Sequence, residues 1–207
     1  WERPNWFAPQ DYALSEADLD KPDVLLNDNH PVVADQPIRE KWSFRRSNYF
    51  EHVGNECRHV HEKVGIQDMS AFAKCEISGP GAEGWLDQLL TNAVPKKVGR
   101  VTLSYLLTHK GGVRSEFTVY KAAPQRYYLV SAGAYERHDH DYLKKALPRD
   151  GSVNFERLTT AMGVLVLAGP RSRDVLAKLT DADLSNEAFP WLTGKKMSIG
   201  LAQVDAL

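Results

Sequence analysis

An α+β fold, with an antiparallel or mixed sheet flanked by helices, is what this sequence predicts, and three observations carry the prediction. Asp68 to Val119 packs a strand, a helix and a hairpin into one continuous stretch. The junction of strand and helix in that stretch, Gly79-Pro80, recurs ninety residues on at Gly169-Pro170. The chain is also 43% hydrophobic over 207 residues, enough to bury a core of its own.

Each element has its own signal. The strand Lys74 to Ser78 runs into Gly79-Pro80, and proline suits the first helical position because its missing N–H would have no partner there. The helix from Pro80 puts Trp85, Leu86, Leu89 and Leu90 on one face until Asn92 and Pro95 break the pattern. Thr102 to Leu107, the Gly111-Gly112 turn and Ser115 to Tyr120 read as an antiparallel hairpin. Tyr127 to Ser131 is a third strand after the Pro124-Gln125 turn, and Ala134 to Leu147 is helical up to Pro148. Val153 to Arg157 is a weak strand, and Gly163 to Ala168 is an apolar run of the kind buried in mid-sheet. A helix from Pro170 to Leu179 and a last strand from Met197 to Val204 follow. Val175, Leu176 and Leu179 repeat the spacing of Trp85, Leu86 and Leu89, so the expectation is two pseudo-equivalent halves on one sheet. Gly-Pro is also a common way of turning a strand into a helix, which leaves the plainer explanation open.

Residues 1–45 differ. Five of the eleven prolines lie there among Asp, Asn and Gln without either period, which reads as an extended arm or inter-domain connector. Its aromatics Trp1, Trp6, Phe7 and Tyr12 argue for an arm draped over a partner surface. Residues 46–207 form the globular domain. The chain begins at Trp1 rather than Met and stops at Asp205-Ala206-Leu207 without a turn, as expected of a piece cut inside or just before an element.

Composition narrows the function. Lys plus Arg number 26 against 27 Asp plus Glu, so no global field draws the chain to nucleic acid or an anionic membrane. Arg45 and Arg46 among Trp42, Phe44, Tyr49 and Phe50 fit ring stacking at an inter-domain contact better than a nucleic-acid groove. No apolar run approaches membrane-spanning length. Cys57 and Cys75 form neither a CxxC nor a disulfide framework. Val53, Cys57, Val60 and Val64 mark an amphipathic helix stopped by Gly65; it carries His52, His59 and His61, but only Cys57 and His61 share a face, too few for a tetrahedral metal site. His138-Asp139-His140-Asp141 fails in the same way, because adjacent helical residues diverge. No metal is expected.

No covalent or phosphate-binding motif is present: GxSxG, GxGxxG and a Gly-rich loop with Lys are all missing. What remains is a sheet face. Glu116 and Thr118 alternate with Phe117 and Val119, so a carboxylate and a hydroxyl share one side of the hairpin. A flat fused-ring ligand with N–H donors would stack on apolar neighbours and be fixed by that carboxylate. The alternative is that Glu116 is a solvated strand residue.

A resemblance covers nearly the whole chain. ERPNWF (Glu2 to Phe7), SFRRSNYFEHVGNEC (Ser43 to Cys57), DMSAFAKCEISGPGAE from Asp68, TNAVPKKVG (Thr91 to Gly99), GGVRSEFTV (Gly111 to Val119), LAGPRSRDVL (Leu167 to Leu176) and DLSNEAFPW (Asp183 to Trp191) together resemble the folate-binding half of the dimethylglycine and sarcosine dehydrogenase family. That half is similar to the glycine-cleavage aminomethyltransferase, or T-protein. The resemblance implies a T-protein-like, incomplete folate-binding domain at 46–207. It implies that 1–45 connects to an upstream FAD domain absent from this chain. The implied function is to hold tetrahydrofolate and capture the one-carbon unit of a methylated glycine as methylene-tetrahydrofolate, after flavin-linked oxidation elsewhere. The fragment alone would be inactive as an oxidase. The cofactor-binding positions implied are Phe72, Asn92, Tyr105, Ser115, Glu116, Phe117 and Thr118. Compartment follows source: cytoplasm in bacteria, mitochondrial matrix in eukaryotes.

One departure stands out. Where T-protein-like members carry an aspartate after the first helix, this chain has Asn92-Ala93, and alanine neither exchanges a proton nor stabilises a cation. Folate's amine then reacts without help from that position, or another acid substitutes, or folate binds poorly. A non-catalytic scaffold or regulatory module of the same fold, and a folate-dependent demethylase, are the alternatives on the same architecture.

Overall fold

The computed structural model describes residues 50–207, so the proline-rich arm and the arginine-aromatic patch up to Tyr49 lie outside the described residues. The chain divides between Lys63 and Val64 into two units. Helix α1 (Phe50–Glu62) belongs to the first, with Val53 and Cys57 exposed and Val60 half-buried.

The second unit follows in chain order. It contains β1 (Gly65–Asp68), β2 (Ala73–Ser78), α2 (Ala82–Leu89), β3 (Val101–Leu107), β4 (Val113–Ala123) and β5 (Arg126–Ser131). A 3-10 turn (Gly133–Tyr135) leads into α3 (Glu136–Ala146), and then come β6 (Asn154–Arg157), β7 (Leu165–Ala168), α4 (Ser172–Leu176), β8 (Lys195–Ile199) and β9 (Ala202–Ala206). The main sheet has the order β3-β4-β5-β2-β6 and every neighbouring pair is antiparallel. The fold is α+β, as the sequence predicts.

Period-two alternation explains which face is covered. Cys75 and Ile77 of β2, Phe117 and Val119 of β4, and Tyr127 and Leu129 of β5 are at most 1% exposed and point to one side. There they meet Ala82, Trp85 and Leu86 of α2 and Leu143 of α3. Burial of each of the larger aliphatic and phenyl side chains among them, such as Ile77, Phe117 and Leu129, stabilises the fold by about 1.5–3 kcal/mol through its removal from water. The Trp85 indole donates to the Ala146 carbonyl at 2.9 Å and so ties the two helices together.

The repeated Gly-Pro unit has the same backbone in both copies. Gly79 and Gly169 have φ of 114° and 118°, which only glycine adopts without strain. Ala82 N–H donates to Gly79 O, and Ser172 N–H to Gly169 O, each at 3.1 Å. The helices begin two residues after the prolines, at Ala82 and Ser172, and α4 ends at Leu176 rather than Leu179.

Three expectations are corrected. The halves do not share a sheet: β2 lies in the five-stranded sheet, whereas β7 pairs with β1 in a two-stranded ribbon. Gly163 to Ala168 is therefore not buried in mid-sheet, since Leu165 is 67% exposed. Met197 to Val204 is not one strand either, because Gly200, with positive φ, turns the chain between β8 and β9, which pair as a hairpin.

Candidate functional site on the open sheet face

The opposite face of the main sheet is open, and its residues fall in rows set by register. Leu103, Thr118, Val130 and Lys74 form one row across β3, β4, β5 and β2. Tyr105 and Glu116 begin a second row beside it. Val101, Tyr120, Tyr128 and Glu76 form a third. Leu103 is 44% exposed, Glu116 is exposed, and Tyr105, Thr118 and Val130 are half-buried. Leu103 and Val130 thus flank the Thr118 hydroxyl, beside a row that carries a carboxylate and a phenol.

The chain around β8 and β9 closes one end of this face. Tyr120 is 2% exposed, its hydroxyl donates to Asp205 Oδ1 at 3.4 Å, and burial together with that carboxylate pushes the phenol up to about 12. Val101 N–H donates to Leu192 O at 3.0 Å. The Val101–Tyr120 part of the third row is accordingly walled in, while the Tyr105–Glu116 row is not. A hydrogen bond to the Glu116 carboxylate holds the Tyr105 phenol above its ordinary range.

The loop after α2 runs along the outer edge of β3. Thr91 N–H donates to Tyr105 O at 3.0 Å, Asn92 N–H to Ser104 Oγ at 3.0 Å and Asn92 Nδ2 to Leu103 O at 2.6 Å. Asn92 is thereby fixed beside the platform, and Ala93 next to it is exposed. Three strands across, Phe72 is the residue before Ala73 of β2, which pairs with Ser131. It stands at the same end of the sheet as Glu116.

The structure therefore brings Tyr105, Glu116 and Thr118 together on one surface, with Asn92 and Phe72 at its two margins. Ser115 and Phe117 do not join them. Both point to the covered side, where Phe117 is in the core and the Ser115 hydroxyl donates to the Asp139 carboxylate of α3. Asp139 also accepts from Ser131 Oγ at 3.0 Å, so one fully buried carboxylate clamps α3 to β4 and β5 beneath the open face. Among the described residues no group of three His, Cys, Asp or Glu is placed to hold a metal, and no helix is long and apolar enough to cross a membrane.

Two residues escaped the sequence reading. Asp139 lies in a histidine-rich tetrad whose pattern suggests metal ligands, and its two serine partners lie 24 and 8 residues away. Lys74 lies between core residues Ala73 and Cys75, and that alternation was the available signal that it faces the platform. Burial pulls the Lys74 ammonium below the ordinary lysine range.

Comparison with known proteins agrees with this architecture. The chain is 36% identical over 208 residues to mitochondrial dimethylglycine dehydrogenase of Mus musculus, a match covering all of this chain and 21% of that protein. It thus spans about a fifth of that relative's length. It is 29% identical to the mitochondrial pyruvate dehydrogenase phosphatase regulatory subunit of Mus musculus over 89% of this chain and 21% of that protein. The crystal structure of glycine cleavage system aminomethyltransferase T from Bartonella henselae superposes with a TM-score of 0.59 at 26% identity, covering 68% of this chain and 37% of that one. The model of the GCVT N-terminal domain matches residues 1–207 throughout, and the chain belongs to that family.

Proposed function

We propose that the open face binds tetrahydrofolate, and that this domain is the one-carbon-accepting part of a longer FAD-dependent dimethylglycine or sarcosine dehydrogenase. The observation that carries the reading is the Glu116 carboxylate beside a row in which Leu103 and half-buried Val130 flank the Thr118 hydroxyl. A flat ring lies on that row and presents its N–H edge to Glu116. Charge-assisted hydrogen bonds of this kind contribute about 1.5–3 kcal/mol. Thr118 adds a hydroxyl that donates or accepts, and Asn92 limits the ring's travel toward the β3 edge. When bound, tetrahydrofolate supplies the amine that takes up the one-carbon unit. Ala93 contributes shape alone there, since it can neither move a proton nor carry charge.

The flavin, the methylated glycine and the upstream domain belong to the longer protein in this reading. The mitochondrial relatives support a matrix location if the source is eukaryotic. Calorimetric titration with a stable reduced folate tests it. The expected result is binding weakened about 10- to 100-fold by Glu116→Ala. No heat with ligand at about tens of micromolar, or equal affinity in the variant, overturns it.

A second reading, a regulatory module that keeps the fold without transfer chemistry, is favoured by Ala93 and by the similarity to a regulatory subunit. Folate binding that depends on Glu116, with no one-carbon transfer by the full-length protein, would select it.

A further inference from the structure

Two lysines are buried among the described residues, and they are held in opposite ways. Lys121 is 6% exposed and has the Glu83 carboxylate at 2.7 Å. Lys74 is 4% exposed and has no carboxylate within ion-pair distance among the described residues. Its ammonium donates instead to two backbone carbonyls, Ser70 O and Phe72 O, each at 2.8 Å. Asp68 and Glu136 act on it only through space. A buried cation without a counter-charge is costly, so its retention calls for a role that a neutral side chain would fill less well.

The surroundings indicate that role. Phe72 and Ser70 lie in the irregular link between β1 and β2, where no sheet partner satisfies their carbonyls. The link is tied down at one end by Met69 N–H to Val164 O at 2.8 Å and Val164 N–H to Ser70 Oγ at 3.1 Å. Phe72 N–H bonds back to Met69 O at 3.0 Å. At the other end the link crosses Gly133, where any Cβ would collide with Ala71 O. Lys74 sits under the middle, in the row of Leu103, Thr118 and Val130, and is anchored by its own backbone to the far side: Lys74 N–H donates to Thr159 Oγ1 at 3.0 Å and Leu158 N–H to Lys74 O at 2.8 Å. The side chain is therefore a strut between a rigid strand and the loop that carries Phe72.

We propose that Lys74 is a positioning residue of the open-face site: its ammonium draws the Ser70 and Phe72 carbonyls down onto the sheet and so sets Phe72 at the margin of the ligand platform. This rests on the folate reading for what the platform holds, but the clamp itself does not. Charge-assisted bonds to both carbonyls order the loop before a ligand arrives, and a loop already ordered does not tax binding.

The test uses three variants of the protein, with amide hydrogen exchange and titration with a stable reduced folate as separate readouts. Lys74→Met keeps length and loses the charge; exchange at residues 70–72 should rise at least tenfold and folate affinity should fall about tenfold. Lys74→Gln, which keeps N–H donors on a neutral side chain one atom shorter, should recover only part of both, and full recovery would show that the charge is not needed. Thr159→Val lowers stability at the strand without loosening the loop, which separates clamping from a general structural loss. Unchanged exchange at 70–72 in a folded Lys74→Met overturns the clamp, as does loosening by Thr159→Val to the same degree. Increased exchange with unchanged folate affinity overturns the link to the site. If the unaltered protein takes up no folate, the folate reading fails while the exchange comparison still decides the clamp.

Discussion

Glu83→Ala should destabilise the chain by about 2 kcal/mol at neutral pH, an estimate that follows from the ion-pair geometry once solvent screening is allowed for. Glu83 lies in the first turn of α2. Its Oε2 accepts from Lys121 Nζ and from the Tyr127 hydroxyl, each at 2.7 Å, and Oε1 faces Lys96 Nζ at 3.2 Å. Lys121 and Tyr127 are buried, so loss of the carboxylate leaves an ammonium in the interior with the Lys96 carbonyl, at 2.9 Å, as its remaining acceptor. Breaking a buried pair costs about 3–5 kcal/mol. The Glu83 side chain is itself 38% exposed, and water screens part of the interaction, which brings the expectation down. Lys121, Tyr127 and Lys96 together hold the carboxyl at about 2, against an ordinary 4.5. A depressed folded-state pKa contributes stability above the unfolded value and loses it as pH falls through the folded one. The deficit of Glu83→Ala should therefore be full at pH 7 and shrink as pH drops from about 4.5 toward about 2. Urea unfolding of both proteins at several pH values measures it. A deficit below about 0.5 kcal/mol at pH 7, or one that does not change with pH, would refute the argument.

Three further outcomes are expected. Burial pushes the Cys75 thiol up to about 12 while Cys57 is exposed, so an alkylating reagent near neutrality should modify one thiol in the native protein and both in urea, as mass spectrometry would show; two native modifications would mean that β2 is not covered. Gly133→Ala forces the link at Ala71 away from the sheet end and should cost about 1–3 kcal/mol, read as a lowered thermal midpoint; full stability would deny the close approach. Asp139→Ala strands the Ser115 and Ser131 hydroxyls and opens a void under α3, so a loss of about 2–4 kcal/mol in denaturant is expected, and a loss within 0.5 kcal/mol would show the clamp to be idle.

Much of the fold is legible before any coordinates. The β2–α2 junction at Gly79-Pro80, the hairpin across Gly111-Gly112 and the helix ending before Pro148 are local events, written in turn chemistry and in the spacing of Trp85, Leu86 and Leu90. The region from 163 onward is read less well because its signals are ambiguous. A short apolar run such as Leu165 to Ala168 looks the same in a sheet centre and in an exposed ribbon, and Gly200 is a turn only when β8 and β9 pair. In the site, alternation separates Glu116 and Thr118 from Phe117, but the motif carried by resemblance runs through consecutive residues. Ser115 and Phe117 fall within that motif although their side chains point into the covered side.

By itself the sequence determined the α+β class, the strand, helix and hairpin between Ala73 and Ala123, the doubled Gly-Pro turn and which residues of β4 share a side. Those properties depend on neighbours within a turn or a pleat, and such neighbours are adjacent in the chain. Only the tertiary structure decided that Lys74, Val130, Thr118 and Leu103 form one row, that Asp139 ties α3 to two strands, and that β7 leaves the main sheet for a ribbon with β1. Each of these joins segments far apart in sequence, through register and burial that no local pattern encodes.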